Sequence, residues 1–297
     1  MLREILISVV LLNTISSLRA DSFREDLFKQ KGTLLNALID SITVNDTTIV
    51  ANVLLINDRN DTIHGRIRYP NTTGKRFPLA ILVVGIETGR EVVEMIKGYN
   101  NVIVFGINYP FRGQFDFSDW KALPTTFALR KAAFKTVAHL LLSLDWLSSQ
   151  PFVDTTDITM VAVSFGVFTA APTAAIDSRI DRLVVVQAGG NIAEVIGANA
   201  DRLGIFLPSW LAGWIAAHIL HPFEPNDFIG DVAPRPLLLI SGEADTFFPE
   251  SSVKSFYEHA RQPKEWVKHR SGHVYPGEVE LVTELTNIVA ERLYGGK

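Results

Sequence analysis

A serine, an aspartate and a histidine, met in that order along the 297 residues, have the chemistry of nucleophilic catalysis. Ser164 lies in Met160-Val161-Ala162-Val163-Ser164-Phe165-Gly166, where an apolar run delivers a serine into a turn and helix-compatible sequence follows. At a sharp strand-to-helix turn the serine backbone is strained and Oγ is pushed out at the sheet edge. Only small residues fit two positions before and after it. Ala162 and Gly166 meet that demand, with Ala162 standing where the G-x-S-x-G pattern has glycine. The alternative is a buried strand that ends in an ordinary serine.

A serine hydroxyl is too weak an acid to attack a carbonyl unless an imidazole takes its proton and a carboxylate orients that imidazole. Pro236 to Gly242 reads as a short, apolar, fully buried strand, and Glu243-Ala244-Asp245 follows its end. Asp245 is the expected orienting acid. Glu243, immediately past the strand, competes for that role but suits a solvated loop better. The next strand is expected over Glu265 to His269, followed by Ser271-Gly272-His273. Pro276 and Glu278 then open an amphipathic helix to about Leu293. His273 is therefore a loop histidine at the end of a strand, whereas His269 falls inside one.

With nucleophile, acid and histidine in this order, the sequence resembles the α/β-hydrolase superfamily over nearly all of the chain after its first 20 residues. The Pro-Leu-Leu-Leu-Ile-Ser-Gly-Glu-Ala-Asp and Ser-Gly-His segments look most like its dienelactone-hydrolase and small-esterase branch. Dienelactone hydrolases proper use cysteine, and this chain has none, so the resemblance implies a serine esterase. It implies a mostly parallel sheet of about eight strands flanked by helices, with no cofactor and no metal. It also implies an oxyanion hole from the Phe165 amide and an amide of the loop after the Pro78 to Val84 strand. Ile86 follows the glycine of the family's His-Gly pair, whose histidine is Val84 here, so either the Ile86 or the Glu87 amide could supply the donor. The Glu87 side chain could line the pocket or pair with Arg90.

The remaining elements must carry these groups. Thr48 to Leu55 and Ile63 to Tyr69 read as an antiparallel hairpin, and Asp21 to Asp40 as helical or irregular. Glu91 to Tyr99 suits a helix, Val102 to Ile107 a strand, and Thr125 to Ser149 a long helix. Asp157 to Val163 and Leu183 to Ala188 supply strands around the serine. Alternating strands and helices imply a parallel sheet covered on both faces. By resemblance, residues 190–231 form a cap inserted after the sixth strand. Phe206, Trp210, Trp214 and Phe223 would line an apolar substrate pocket there, or else pack the cap onto the core. Leu203 to Leu220 is uncharged and long enough to cross a bilayer. A single crossing would, however, separate Ser164 from Asp245 and His273, and Pro208, Ser209 and Gly213 interrupt it. His218 and His221 lack the H-E-x-x-H spacing of a zinc site.

An apolar fraction of 47% over this length supports one large domain, 21–297, and a net charge of -4 gives no basic footprint for nucleic acid. Met1 to Glu4, the apolar Ile5 to Leu12 and Ser16 to Ala20 read as a signal peptide over residues 1–20. The expected setting is secreted or periplasmic, the alternative being a buried or interfacial helix. N-x-T sequons occur at Asn45, Asn60 and Asn71. The expected function is cleavage of small-molecule carboxylic esters through an acyl-enzyme, the mature chain having no integral membrane span. The rivals are a peptidase of the same superfamily and a catalytically silent binding protein on this fold.

Overall fold

Alternation of buried and exposed residues builds the first hairpin, β2 (Thr48–Asn57) and β3 (Thr62–Pro70), which pair antiparallel. Asn60 takes a left-handed φ of 58° in the turn, and the Asn57 side chain accepts from the Arg59 and Asp61 amides. The structure, a computed structural model, describes residues 23–111, 116–118 and 121–295. The signal peptide expected at 1–20 lies outside the described residues.

Where a helical or irregular segment was expected at 21–40, the chain forms a helix, α1 (residues 23–31), and then an edge strand, β1 (Leu34–Val44), antiparallel to β2. Leu35, Leu38, Ile39, Ile42 and Val44 on β1 are exposed. The strand therefore lacks the period-two burial pattern from which a half-buried strand is read. Leu27 of α1 is fully buried, and the Phe23 ring meets those of Phe134, Phe223 and Phe228.

Six further strands follow: β4 (Phe77–Val83), β5 (Ile103–Ile107), β6 (Val153–Val163), β7 (Arg182–Val186), β8 (Leu237–Gly242) and β9 (Lys264–His269). Among the described residues the sheet has nine strands in the order β1-β2-β3-β5-β4-β6-β7-β8-β9, one more than the eight or so expected, the addition being β1. All pairs from β5 to β9 are parallel. From β4 the chain crosses to β5 on one side and then returns to β6 on the other. The β4 and β6 ends thus flank a topological switch point, where open α/β sheets bind ligands.

One face of the sheet packs on α3 (Ala122–Ser148), α4 (Val167–Ile176) and α8 (Glu250–His259), with Ile81, Phe105 and Met160 among its buried residues. Phe127 of α3 is exposed. The other face, with Leu82, Val104, Val161 and Val184, is covered by α9 (Val279–Tyr294) and by the much shorter α2 (Val92–Met95). The helix expected over 91–99 thus lasts one turn. Ile96 is extended at φ -83° and ψ 109°, and Gly98 adopts φ 88°, which a side chain would resist. The buried Arg68 guanidinium donates to the Ile96 carbonyl and, at 3.5 Å, to that of Tyr99. These contacts satisfy carbonyls that a continued helix would have paired.

Between β7 and β8 lie α5 (Ile192–Ala198), α6 (Ser209–Leu220) and α7 (Pro225–Ile229), which occupy the insertion expected at 190–231. Among the described residues no helix is long and apolar enough to cross a membrane.

An ionic clamp ties the hairpin turn to α3. Asp61 Oδ2 lies 3.0 Å from His139 Nε2 and 2.9 Å from Lys135 Nζ. The His139 hydrogen bond, followed by that of Lys135, outweighs burial and holds the Asp61 carboxyl well below its usual range. Folded-state titration below the unfolded value means that the clamp stabilises fully above the ordinary carboxylate range near pH 4, and that this contribution is lost as pH falls through it. Asp61→Asn should cost roughly 1 to 2 kcal/mol at pH 7, at the low end where solvent screens the pair. Urea midpoints should show the difference shrinking below about pH 4. A difference that persists unchanged at pH 3 would contradict the clamp.

Candidate active site

β6 ends at Val163 in extended backbone, and the next residue, Ser164, turns to φ 52°. A short 3-10 turn, Ser164–Gly166, leads into α4. A non-glycine residue held in left-handed backbone costs on the order of 1 to 3 kcal/mol and persists only where its surroundings fix it. The fixing contact is at Gly166, where a Cβ would lie 1.9 Å from the Val83 carbonyl oxygen. Only glycine lets α4 start this close to β4. Ala162 is fully buried in the same core as Val167 and Ala170 of α4, where its methyl is accommodated.

His273 Nε2 lies 2.7 Å from Ser164 Oγ, and His273 Nδ1 lies 2.8 Å from Asp245 Oδ2. The Asp245 carboxylate is held from behind, its Oδ1 accepting from the Phe247 amide at 2.7 Å and the Phe248 amide at 3.1 Å. Its side chain is 2% exposed and that of His273 5% exposed. Phe247 stacks on the imidazole at 4.9 Å and Tyr275 meets it edge-on at 5.3 Å. It is Asp245, and not the exposed Glu243, whose carboxylate meets the histidine. β6, β8 and β9 thus deliver serine, aspartate and histidine from three strand ends at one edge of the sheet.

Two supporting residues escape a reading of the sequence for reactive groups. Gln187, fully buried at the end of β7 with φ 47°, donates to Ser271 Oγ and to the Gly272 carbonyl, both at 2.8 Å, and accepts from the Val274 amide. It therefore grips the histidine loop on both sides of His273. The signal was present as a lone polar residue ending Val184-Val185-Val186. Tyr109, after β5, donates to the Val84 carbonyl at 2.8 Å. Burial raises its phenol far above the ordinary value, so it remains a neutral donor. Beside it, Asn108 Oδ1 accepts from the Arg90 amide at 3.0 Å. This pair anchors both ends of the loop after β4. Within that loop the Thr88 and Gly89 amides are taken by the Gly85 carbonyl, which removes them as donors to an anion.

A cavity of about 370 Å³ opens at Ser164 and His273 and is lined there by Ile86, Glu87 and Phe165. Arg90 pairs with Glu91 at 3.4 Å, which leaves Glu87 at the cavity mouth. The expected aromatic pocket residues lie elsewhere. Phe206, Trp210 and Trp214 are 69%, 73% and 55% exposed and do not line the cavity. The cause is small-residue packing: Ala212, Gly213 and Ala216 form the buried face of α6, and a Cβ at Gly213 would lie 2.1 Å from the Ala193 carbonyl oxygen. That face turns Trp210 and Trp214, four residues apart, towards solvent. Phe223 is core, packed edge-on against Phe134. The insertion still reaches the site, since its Ile205 and Ala212 cluster with Phe117, Ile86 and Phe165.

His218 Nδ1 lies 2.8 Å from the Trp214 carbonyl, His221 pairs with Asp227 at 3.4 Å, and His269 pairs with Glu284 at 3.4 Å. Among the described residues no group of three or more histidine, cysteine or acidic side chains could hold a metal.

The grip of Gln187 is directly testable. Gln187→Leu keeps similar volume but removes the acceptor for the Val274 amide, so hydrogen exchange at Val274 should quicken by roughly tenfold or more, as for a lost hydrogen bond. Unchanged protection there would mean that the histidine loop is held by other contacts.

A sequence model of the family described as serine hydrolase (FSH1) matches residues 212–285, a span that contains Asp245 and His273 but not Ser164. No curated protein matches the sequence. Among solved structures, an acetyl xylan esterase from Paenibacillus sp. R4 superposes with a TM-score of 0.68 at 16% identity, covering 91% of this chain and 93% of that one. Acetyl xylan esterase 1 from Thermoanaerobacterium sp. JW/SL YS485 gives 0.62 at 14% identity, with 92% and 93% covered. An alpha/beta hydrolase from Penicillium sp. sh18 gives 0.59 at 15% identity, with 83% and 99% covered. At such low identity what is shared is the backbone: the chain has the α/β-hydrolase fold of these proteins.

Proposed function

We propose that this chain is a serine hydrolase that cleaves carboxylic esters through an acyl-enzyme, with Ser164 as nucleophile, His273 as general base and acid, and Asp245 as the orienting carboxylate. The observation that carries this reading is the continuous relay from Ser164 Oγ through His273 to Asp245, at 2.7 and 2.8 Å, ending on a serine held at φ 52°. The hydrolase family match and the esterase neighbours support it.

In the first half-reaction Ser164 Oγ bonds to the ester carbonyl carbon while His273 Nε2 takes the hydroxyl proton. The resulting oxyanion is met by the Phe165 amide and by an amide of Ile86 or Glu87. Collapse of the intermediate breaks the bond to the alcohol oxygen, which leaves with the proton from His273. Water then gives a proton to His273 and attacks the acyl carbon. The second intermediate collapses to release the acid, and the proton returns to Ser164. Asp245 holds the imidazolium through one oxygen, its other oxygen occupied by two backbone amides. No step draws on a metal or cofactor, and activity should survive EDTA.

A catalytically silent protein would have no need of a buried, fully oriented histidine beside a strained serine. The leader-like residues 1–20 support a secreted or periplasmic setting.

Ser164→Ala and His273→Ala should each lower kcat on p-nitrophenyl acetate by ~10⁴ or more, and combining them should add little, because the groups act as a unit. Asp245→Asn should also be severe and Glu243→Gln mild. Near-wild-type turnover by Ser164→Ala, with the fold intact by circular dichroism, would refute the reading.

A further inference from the structure

The cavity at Ser164 does not stop at the reacting atoms. It continues down the sheet face that α2 leaves uncovered, over Val84 just past β4, Leu82 and Ala80 on β4 and Val161 on β6. Its other wall is one stripe of α9, formed by Val282, Leu285, Val289 and Leu293. Tyr99, beyond the break in α2, donates to Asn287 Oδ1 of α9 at 2.6 Å and so ties the two covering segments together.

We propose that this space is an acyl-chain site, so that the substrates are esters of medium-chain fatty acids, an assignment that rests on the ester-hydrolase reading above. The dimensions are those of an alkyl chain. Val84 and Ala80 are separated by about 13 Å along a strand at 3.3 Å per residue. Val282 and Leu293 span about 16 Å along a helix at 1.5 Å per residue. An extended chain with C–C bonds near 1.5 Å advances roughly 1.25 Å per carbon, which gives about ten carbons. An apolar cavity holds water poorly, and an alkyl chain is the occupant that its walls favour.

The mechanism selects the acyl side over the alcohol side. The acyl group stays bonded to Ser164 through both half-reactions, whereas the alcohol must leave and water must take its place. A deep apolar pocket suits the group that stays.

The test is kcat/KM for p-nitrophenyl esters from acetate to dodecanoate, beside a series of acetates with alcohols of the same lengths. In the acyl series kcat/KM should rise by up to about fourfold per methylene, peak near eight to ten carbons and then fall, while the alcohol series stays flat. Ala290→Phe, which fills the deep part of the cavity, should lower the decanoate-to-acetate ratio at least about 100-fold. Val289→Phe serves as a second variant, and a ratio taken within one preparation cancels any loss of folded protein. If acetate is turned over with a flat acyl series, or the gain appears in the alcohol series, the acyl site is wrong and the ester-hydrolase reading stands. If no ester in either series is hydrolysed, the underlying reading has failed.

Discussion

The Gly166 contact with the Val83 carbonyl governs the rest of the site. It lets α4 begin against β4, and that start turns Ser164 into left-handed backbone at the end of β6. The strain of such a residue is offset by the cores on both faces of the sheet, which fix β4 and β6 in register from Leu79 to Val83. With the serine projected beyond the sheet edge, the β8 and β9 loops can present a carboxylate and an imidazole from one side. The β4 loop lines the cavity from the other, with Ile86 and Glu87. Each loop has its own anchor: backbone amides behind Asp245, Gln187 beneath the histidine, and Tyr109 with Asn108 behind Gly85. The reactive groups are few, and the groups that hold them in place are dispersed along the chain.

That dispersion explains what the sequence made legible. Ser164 and Asp245 could be read because each follows an apolar run, His273 because it lies in the loop after the next strand, and all three because chemistry restricts which residue types can serve. The parallel strands were legible for the same reason, as buried runs bounded by turns. β1 was not, because an edge strand exposed on both faces carries no burial rhythm. The early end of α2 was hidden as well, since it depends on Arg68, a residue distant in sequence that takes the carbonyls of Ile96 and Tyr99. The tryptophans of α6 misled for a third reason. Aromatic residues in an apolar segment suggest a pocket, but Gly213 and its small neighbours decide which face of the helix is buried.

The truncated α2 has consequences beyond the local backbone. A full-length helix there would cover the sheet opposite α3 and α4. Its early end leaves α9 to cover that face with help from the segment around Tyr99, and the cavity that begins at Ser164 continues into the space between. The insertion between β7 and β8, which would ordinarily be the first place to look for substrate contacts, instead packs beside Phe165 and Ile86. It turns Phe206, Trp210 and Trp214 to the outside and buries Phe223 in the core.

The central claim is that Ser164 is a nucleophile activated by His273. Treatment with a fluorophosphonate followed by peptide mapping by mass spectrometry tests it most directly, because the reagent bonds covalently to an activated serine and needs no knowledge of the substrate. The account predicts one phosphonyl adduct on the peptide that carries Ser164, absent in Ser164→Ala and formed far more slowly in His273→Ala. An unmodified Ser164, or an adduct on another residue that survives Ser164→Ala, would contradict it.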